Sequence, residues 1–249
     1  MSVPIIEVSP DPDALSRASA ERIVTIAVQA VADHGEFTLA LSGGKTPEDL
    51  YTLLGTPVWR QRLPWSQTVV FWGDERAVGP NDPESNYRMA ATSLLDRVPI
   101  PPDRIHRIRG ELPPEQAAEA YAQVLARAFT LGPGERPRFD LVLLGLGADG
   151  HTASLFPEAE ALDLGERLVV ANPVPALGTT RVTLTAPTIN NAAHVLFLVT
   201  GAAKAGAVAA VLEGPRRPRE LPAQLIEPRA GQLAWLLDEA AAARLSHRR

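Results

Sequence analysis

Short apolar runs that alternate with helical patterns constrain the fold of this chain more than any other feature. Five runs of strand length are almost continuously hydrophobic, as in strands that helices cover on both faces, at residues 37–41, 69–72, 139–146, 168–171 and 195–199. Helical spacing of apolar residues precedes or separates these runs, at residues 14–33, 47–54, 84–95, 114–129 and 202–212. The alternation predicts an α/β fold of three layers, in which a doubly wound, mostly parallel sheet carries helices on both faces.

The length of the chain favours a single domain over residues 1–249, with one small insert. We expect the insert around residues 99–114, where prolines interrupt the apolar pattern. A proline- and arginine-rich stretch at 213–222 predicts a loop. Polar and apolar residues alternate at 181–185, which predicts a strand with one face more exposed than the other.

Charge and composition exclude several classes of protein. The formal net charge is −5, from 24 basic and 29 acidic residues, so no overall positive field exists to hold a nucleic-acid backbone. The absence of cysteine excludes disulfides, thiolate metal sites and iron–sulfur clusters. No window approaches the roughly 20 apolar residues that span a bilayer. We therefore expect a cytoplasmic protein with no membrane, nucleic-acid or obligatory protein partner.

The first of three polar motifs at strand ends follows the run at 37–41. Its glycines and the proline after it predict free backbone N–H groups at a helix N-terminus, where the helix dipole favours an anion. Side-chain donors add to these groups, so we expect a phosphate to bind Ser42, Gly43, Gly44, Lys45 and Thr46. A tight turn with a solvated lysine is the plainer interpretation. The Walker spacing is absent, so a nucleoside triphosphate is not expected.

The same segment also resembles a degenerate nucleophile elbow. Ser42 would then attack an ester after activation by His151 or His194. A lysine and a proline so soon after the serine fit anion binding better than they fit an elbow. The serine-hydrolase interpretation is therefore the weaker of the two.

The second motif places two carboxylates and a guanidinium after the run at 69–72, in the order Asp74, Glu75 and Arg76. A guanidinium can bind an oxyanion with paired donors, so we add Asp74 and Arg76 to the expected substrate site. An ion pair that only holds a loop in place is the alternative. The polar residues at 81–88 are expected to cap the next helix.

The third motif, at residues 145–151, ends in His151 two residues after Asp149. A carboxylate that accepts one ring N–H fixes the tautomer and raises the basicity of the other nitrogen, so this pair predicts a general base. The alternative is a histidine satisfied by main-chain hydrogen bonds. The glycines also match a dinucleotide fingerprint, but the next apolar run ends in Asn172 where a nicotinamide enzyme needs an acidic residue.

Two later basic residues, Arg181 and Lys204, are candidates for the same pocket because each lies at the edge of a predicted element. Periodicity alone would make each of them a surface charge. The other histidines are scattered along the chain, at positions 34, 106, 194 and 247, and no His-Glu-x-x-His helix occurs. We expect neither a metal nor a cofactor.

Taken together, the motifs LSGGKTPEDLY, FWGDERAV, LGLGADGHTASLFP, RVTLT and TGAAK resemble the 6-phosphogluconolactonase family in order and spacing, over nearly the whole chain. The ending is similar too, with LPAQLIEP followed by an alanine-rich segment expected to be helical. The resemblance implies a fold shared with amino-sugar-phosphate deaminases and ribose-phosphate isomerases. It also implies hydrolysis of 6-phospho-D-glucono-1,5-lactone to 6-phospho-D-gluconate in the oxidative pentose phosphate pathway.

The resemblance also implies a role for each candidate residue. His151 would be the base that activates water, and Asp149 would orient it. The phosphate would be held by Arg76, Lys204 and residues 42–46, with Arg181 as a helper.

Two alternatives on the same scaffold stay open. Deaminases share the glycine turn, the Asp-Glu pair and Asp-Gly-His, but they continue Gly-His-x-Ala-Phe-Asn-Glu-Pro, with the glutamate in the ring-opening machinery. This chain has Phe156 before Pro157, and a proton relay needs a titratable group there. Arg76 also stands where deaminases usually carry an aromatic residue. The second alternative is a non-catalytic sugar-phosphate sensor, although no basic helix-turn-helix segment accompanies this chain.

Overall fold

The computed structural model describes residues 4–175 and 178–246, and nine strands lie in this part of the chain. They are β1 (Ile5–Ser9), β2 (Phe37–Leu41), β3 (Thr68–Trp72), β4 (Asp74–Arg76), β5 (Leu141–Leu144), β6 (Val169–Val174), β7 (Thr179–Leu184), β8 (His194–Val199) and β9 (Gln232–Asp238). Six of them form one sheet in the order β1-β9-β8-β5-β2-β3, and all neighbours in it are parallel. The expected mostly parallel α/β sheet is confirmed.

Helices cover both faces of this sheet, as the sequence predicts. The α-helices in the described residues are α1 (Pro12–His34), α2 (Lys45–Leu54), α3 (Pro57–Arg60), α4 (Asn86–Ser93), α5 (Pro114–Ala128), α6 (Ala186–Ile189) and α7 (Ala205–Leu212). The connections from β1 to β2 and from β2 to β3 run toward one edge of the sheet, whereas those from β3 to β5, β5 to β8 and β8 to β9 run toward the other. Because such crossovers are right-handed, α1 and α2 share one face and α5 and α7 lie on the other. Contact between α1 and α2 agrees with this assignment.

The strand order reverses its direction between β2 and β5, which lie side by side. The chain leaves the carboxyl end of β2 toward one face and that of β5 toward the other, so a crevice opens between these two ends. Ligands of open α/β sheets bind at such a point. The motifs that begin at Ser42 and at Gly145 therefore face each other.

Three further strands form a small antiparallel sheet in the order β4-β7-β6. The expectation that the run at 168–171 joins the parallel sheet is wrong, because β6 belongs to this second sheet. A continuous apolar run indicates burial, and the contact of β6 with α5 provides it without parallel pairing. The strand predicted at 181–185 exists as β7, but its exposure changes along its length: residues 179–181 are half-buried and residues 182–184 are buried.

Two strands that the sequence patterns do not predict, β1 and β9, complete one edge of the large sheet. Glu7 interrupts the apolar pattern of β1 because it forms an ion pair with Arg22 of α1. The expected alanine-rich helix at the end of the chain is also wrong: residues 239–244 form turns. The carboxylate of Asp238 accepts the N–H of Ala241 at 2.7 Å, which closes a turn in place of a longer helix.

The segment expected to be an insert, at 99–114, contains the short 3-10 turn Pro102–Arg104 and a parallel bridge between Ile105 and Val70. The division of the chain into one domain with an insert stays a prediction. Of the loop predicted at 213–222, residues 213–221 contain neither helix nor strand, whereas Pro222 begins the 3-10 turn Pro222–Leu225. Within the described ranges, no helix is both long enough and apolar enough to cross a membrane.

Candidate active site

A cavity of about 380 Å³ lies at the reversal point of the large sheet. It is bordered by most of the residues that the sequence predicts for the site, namely Ser42, Gly43, Gly44, Lys45, Thr46, Asp74, Arg76, His151 and Lys204. The other two predicted residues lie next to members of this set. Asp149 hydrogen-bonds to His151, and Arg181 on β7 lies opposite Arg76 on the neighbouring strand β4. The fold thus brings segments that are distant in sequence to one place.

The turn after β2 is held in shape by a buried tyrosine. The hydroxyl of Tyr51 accepts the N–H of Ser42 at 3.0 Å and donates to the carbonyl of the same residue at 2.9 Å. Burial raises the pKa of Tyr51 above its ordinary range, so this hydroxyl stays protonated. Gly43 is required by a close approach, because a Cβ there would lie 1.9 Å from Oδ1 of Asn86. Gly44 has a φ of +105°, which favours glycine.

The ammonium group of Lys45 points to carboxylates of its own helix. Its Nζ lies 2.8 Å from Oδ1 of Asp49 and 3.3 Å from Oε2 of Glu48, and its side chain is 76% exposed. These two hydrogen bonds, the one to Asp49 first, raise the pKa of Lys45. The turn predicted from the sequence is present, but its lysine already has anionic partners.

A second glycine turn follows β8 and borders the same cavity. The N–H of Gly201 donates to both carboxylate oxygens of Asp238, each at 3.0 Å. The hydroxyls of Thr46 and Thr200 lie 2.6 Å apart and join the two turns. In the described part of the chain, no hydrogen bond or ion pair engages the ammonium of Lys204, so this cation is free to bind a ligand.

The two carboxylates of the second motif have different surroundings. Glu75 accepts the N–H groups of Asn86 at 2.7 Å and Tyr87 at 2.8 Å, so it caps the N-terminus of α4. Burial raises the pKa of Glu75, although these backbone hydrogen bonds oppose the shift. Asp74 is also buried but borders the cavity, and its Oδ2 accepts the hydroxyl of Ser154 at 2.6 Å. Glu75 therefore holds the start of α4, whereas Asp74 borders the cavity.

Arg76 and Arg181 are directly opposed on β4 and β7. Nη1 of Arg76 donates to the carbonyl of Glu84, and Nε of each arginine is buried without a hydrogen-bond partner. Burial, together with the neighbouring charge of Arg76, lowers the pKa of Arg181. Among the described residues neither guanidinium has a carboxylate within ion-pair distance. Asp74, Glu75 and Glu84 act on Arg181 from beyond that distance. Two adjacent cations without a direct ion-pair partner are suited to an added anion in a protein of net negative charge.

His151 is bound to Asp149 as the sequence predicts. Nδ1 of His151 lies 2.6 Å from Oδ1 of Asp149, and the ring borders the cavity with its side chain 30% exposed. Burial acts to raise the pKa of Asp149, but the charge and hydrogen bonds of His151 lower it below its ordinary value. Gly147 is required here, because a Cβ would lie 2.0 Å from Nδ1 of His151. The carboxylate thus fixes the tautomer in which Nε2 is the acceptor.

The other interpretations of these motifs find no geometry to support them. The hydroxyl of Ser42 donates to the carbonyl of Gly43 at 3.3 Å, and no histidine in the described ranges bonds to it. Asn172 is buried in the small sheet, where its Nδ2 donates to the carbonyl of Ser154. No group of three potential metal ligands occurs in the part of the chain that the structure describes, and His247 lies outside that part.

Comparison with known proteins agrees with the geometry. A family model for glucosamine-6-phosphate isomerases and 6-phosphogluconolactonase matches residues 10–235. The 6-phosphogluconolactonase of Nostoc sp. is 45% identical over 242 residues, which are 97% of this chain and 98% of the relative. That of Synechocystis sp. is 46% identical over 220 residues, 88% of this chain and 89% of the relative. A solved 6-phosphogluconolactonase from Trypanosoma cruzi superposes with a TM-score of 0.85 at 31% identity, over 99% of each chain.

The chain belongs to the glucosamine-6-phosphate isomerase and 6-phosphogluconolactonase family. The family resemblance inferred from the strand-end motifs is therefore confirmed. Three residues that the sequence motifs do not single out hold the site in place: Tyr51, Asn86 and Ser154. Their signal is weak, because a tyrosine on a helix and small polar residues in loops are common; only the three-dimensional contacts distinguish them.

Proposed function

We propose that this protein hydrolyses 6-phospho-D-glucono-1,5-lactone to 6-phospho-D-gluconate in the oxidative pentose phosphate pathway. The observation that carries the proposal is the Asp149–His151 pair at a cavity that is also bordered by Arg76 and Lys204, two cations without carboxylate partners among the described residues. A base and an anion-binding wall in one cavity match a phosphorylated ester. The names of the family relatives support the same activity.

Hydrolysis of the lactone requires one general base. As water attacks the lactone carbonyl, its proton passes to Nε2 of His151, while Asp149 stabilises the imidazolium. The bond between the carbonyl carbon and the ring oxygen then breaks, and the ring oxygen takes the proton back from Nε2. The resulting carboxylic acid ionises and releases one proton to solvent. No covalent intermediate is needed, because a lactone is an activated ester.

The cations at the cavity supply the binding energy. Arg76, Lys204 and the backbone N–H groups of residues 43–46 would hold the phosphate, and Arg181 would add to the positive field from β7. The N–H of Ser42 is already bound by the hydroxyl of Tyr51. Remote binding of this kind positions the carbonyl beside the attacking water, so loss of the phosphate affects rate as well as affinity. Phe156 and Asp149 also border a larger cavity of about 590 Å³, but no described residue of its lining is cationic. The phosphate therefore belongs in the first cavity.

An experiment on His151 tests the proposed mechanism. We expect His151→Ala to lower kcat for the lactone by about 10²- to 10⁴-fold, the usual contribution of a general base, with binding of 6-phosphogluconate retained. The assay is proton release after addition of fresh lactone, corrected for spontaneous hydrolysis. His34→Ala is the matched control, because its ring also contacts an aspartate but lies outside the cavity. Turnover of His151→Ala at the wild-type rate would refute this role.

The deaminase alternative can be tested with the same protein. The ring of Phe156 stacks on that of His151 with centroids 4.2 Å apart, so the position that holds a glutamate in deaminases carries no titratable group here. We therefore expect no ammonia from glucosamine 6-phosphate, and a clear signal would favour the deaminase. Binding of 6-phosphogluconate with no lactone turnover would favour the sensor.

We propose a cytoplasmic location, because a charged sugar phosphate crosses a bilayer only at great cost and is used where it is made.

A further inference from the structure

Ser154 is joined to all three strands of the small antiparallel sheet. Its N–H donates to Oγ1 of Thr183 in β7 at 3.2 Å, and its carbonyl accepts Nδ2 of Asn172 in β6 at 2.7 Å. Its hydroxyl donates to Oδ2 of Asp74 in β4 at 2.6 Å. Ser154 is only 2% exposed and does not border the cavity. The residue therefore acts on the site through its partners.

The hydrogen bond to Asp74 is the one that reaches the cavity. Hydrogen bonds to an ionised carboxylate are short and stronger than neutral ones, and 2.6 Å lies in that range. Nδ2 of Asn86 donates to Oδ1 of the same carboxylate at 3.3 Å and to the Asp74 carbonyl at 2.9 Å. Neutral donors thus hold both oxygens, and no cation of the described residues forms an ion pair with them. The remaining lone pairs of Asp74 are suited to a hydroxyl group of a sugar ring.

Ser154 also lies in the loop that carries the base, and its own N–H and carbonyl anchor this loop to β7 and β6. Ser154 follows His151 by three residues, and between them the hydroxyl of Thr152 donates to the carbonyl of Gly145 at 2.8 Å. Leu155 closes the loop through a hydrogen bond to the carbonyl of Thr152 at 2.9 Å. Ser154 therefore links the position of the Asp74 carboxylate to the position of the loop that carries His151.

We propose that Ser154 is a positioning residue for lactone hydrolysis, which orients the Asp74 carboxylate toward a ring hydroxyl of the substrate and aligns it with His151. This inference rests on the proposed function. The small sheet then contributes to catalysis, because its three strands hold one serine in place. That serine links the carboxylate that binds the sugar to the loop that carries the base.

A double-mutant cycle with Asp74→Asn tests the inference. We expect Ser154→Ala to lower kcat/KM for the lactone by about 10- to 100-fold, the range for a hydrogen bond to a charged group. Competitive inhibition by inorganic phosphate, which probes only the groups proposed to bind the phosphate, should change less than about 2-fold because Ser154 hydrogen-bonds to none of them. In the Asp74→Asn background, Ser154→Ala should lower kcat/KM by a further factor of less than about 2, because the effects of residues that act as one unit are not additive.

Controls separate positioning from general destabilisation. Ser19→Ala removes another buried serine hydroxyl, bonded to the carbonyl of Leu15 far from the cavity, and should leave all kinetic constants unchanged. If Ser154→Ala does not fold, Ser154→Cys keeps the volume with a weaker donor and is expected to show the same pattern. Additive losses in the cycle, or equal losses of lactone turnover and phosphate inhibition, would overturn the inference. Wild-type protein without lactone turnover would instead overturn the proposed function.

Discussion

Two glycine turns border the candidate active site, and they use their lysines differently. The turn after β2 has Gly44 at a φ of +105° and that after β8 has Gly201 at +93°, and both lead into helical segments. Lys45 of the first turn is bound by Asp49 and Glu48 on its own helix. Lys204 of the second has no ion-pair partner in the described residues and borders the cavity.

The residues that follow each turn account for this contrast, because they decide whether its lysine has an intramolecular partner. A carboxylate at i+4 on a helix is close enough to hold a lysine, as Asp49 holds Lys45. The helix after Lys204 is made of alanine, glycine, valine and leucine, so it offers no such partner. We infer that the first turn contributes its backbone to phosphate binding and the second contributes its side chain.

The largest effect is expected from Gly43→Ala in the first turn. The added Cβ would meet the side chain of Asn86 at 1.9 Å, and Asn86 in turn holds Asp74. Displacement of the Asp74 carboxylate by about 1 Å would lower kcat/KM at least about 100-fold. Steady-state kinetics of lactone hydrolysis measure the loss of kcat/KM, and the thermal midpoint of unfolding is a second readout.

The clash itself can be checked with a second change. The three atoms nearest to the added Cβ all belong to the Asn86 side chain, so Gly43→Ala/Asn86→Ala should fold as well as Asn86→Ala alone. A double variant that is much less stable than Asn86→Ala would show that the turn needs glycine for another reason. Gly201 has no counterpart to this contact, because no heavy atom lies within 4 Å of a Cβ built there.

A smaller but still large effect is expected from Lys204→Met. The variant removes the unpaired ammonium and keeps most of the side-chain volume, so kcat/KM should fall about 10- to 100-fold, as for loss of a charged hydrogen bond. Inhibition by inorganic phosphate should weaken by a similar factor. Phosphate inhibition of wild-type strength in Lys204→Met would contradict this role, because the second turn would then not hold the anion with its side chain.

Sequence patterns predict the parts of this molecule that depend on local chemistry. The bounds of β2 are those of the apolar run at 37–41, and Asp149 and His151 meet because a turn of three residues leaves them little choice. Long-range partners are different. The pairing of Arg76 with Arg181, and the contact of Ser154 with Asp74 across 80 positions, depend on the register of the small sheet.

The errors have the same physical origin. The apolar run of β6 predicts a place in the parallel sheet, but such a run reports burial and not the direction of its neighbour. Intrinsic propensity predicts a helix at the alanine-rich end, yet the first residues of that end are fixed by hydrogen bonds to Asp238 and Ser9. In each case the tertiary environment decides, and the local sequence does not describe it.

The smallest effect is expected from Lys45→Met, the counterpart of the change at Lys204. Its side chain is 76% exposed, and its ammonium is already paired with Asp49 and Glu48. We therefore expect kcat/KM and phosphate inhibition to change less than about 3-fold, in line with the small energies of exposed ion pairs. The backbone N–H groups of the turn remain in the variant and stay available to an anion. A loss as large as that of Lys204→Met would mean that Lys45 leaves its two carboxylates when the substrate binds. In that case the double variant Glu48→Gln/Asp49→Asn, which removes the two partners of Lys45, should strengthen phosphate inhibition. If phosphate inhibition is unchanged both in Lys45→Met and in this double variant, Lys204 is the lysine that holds the phosphate.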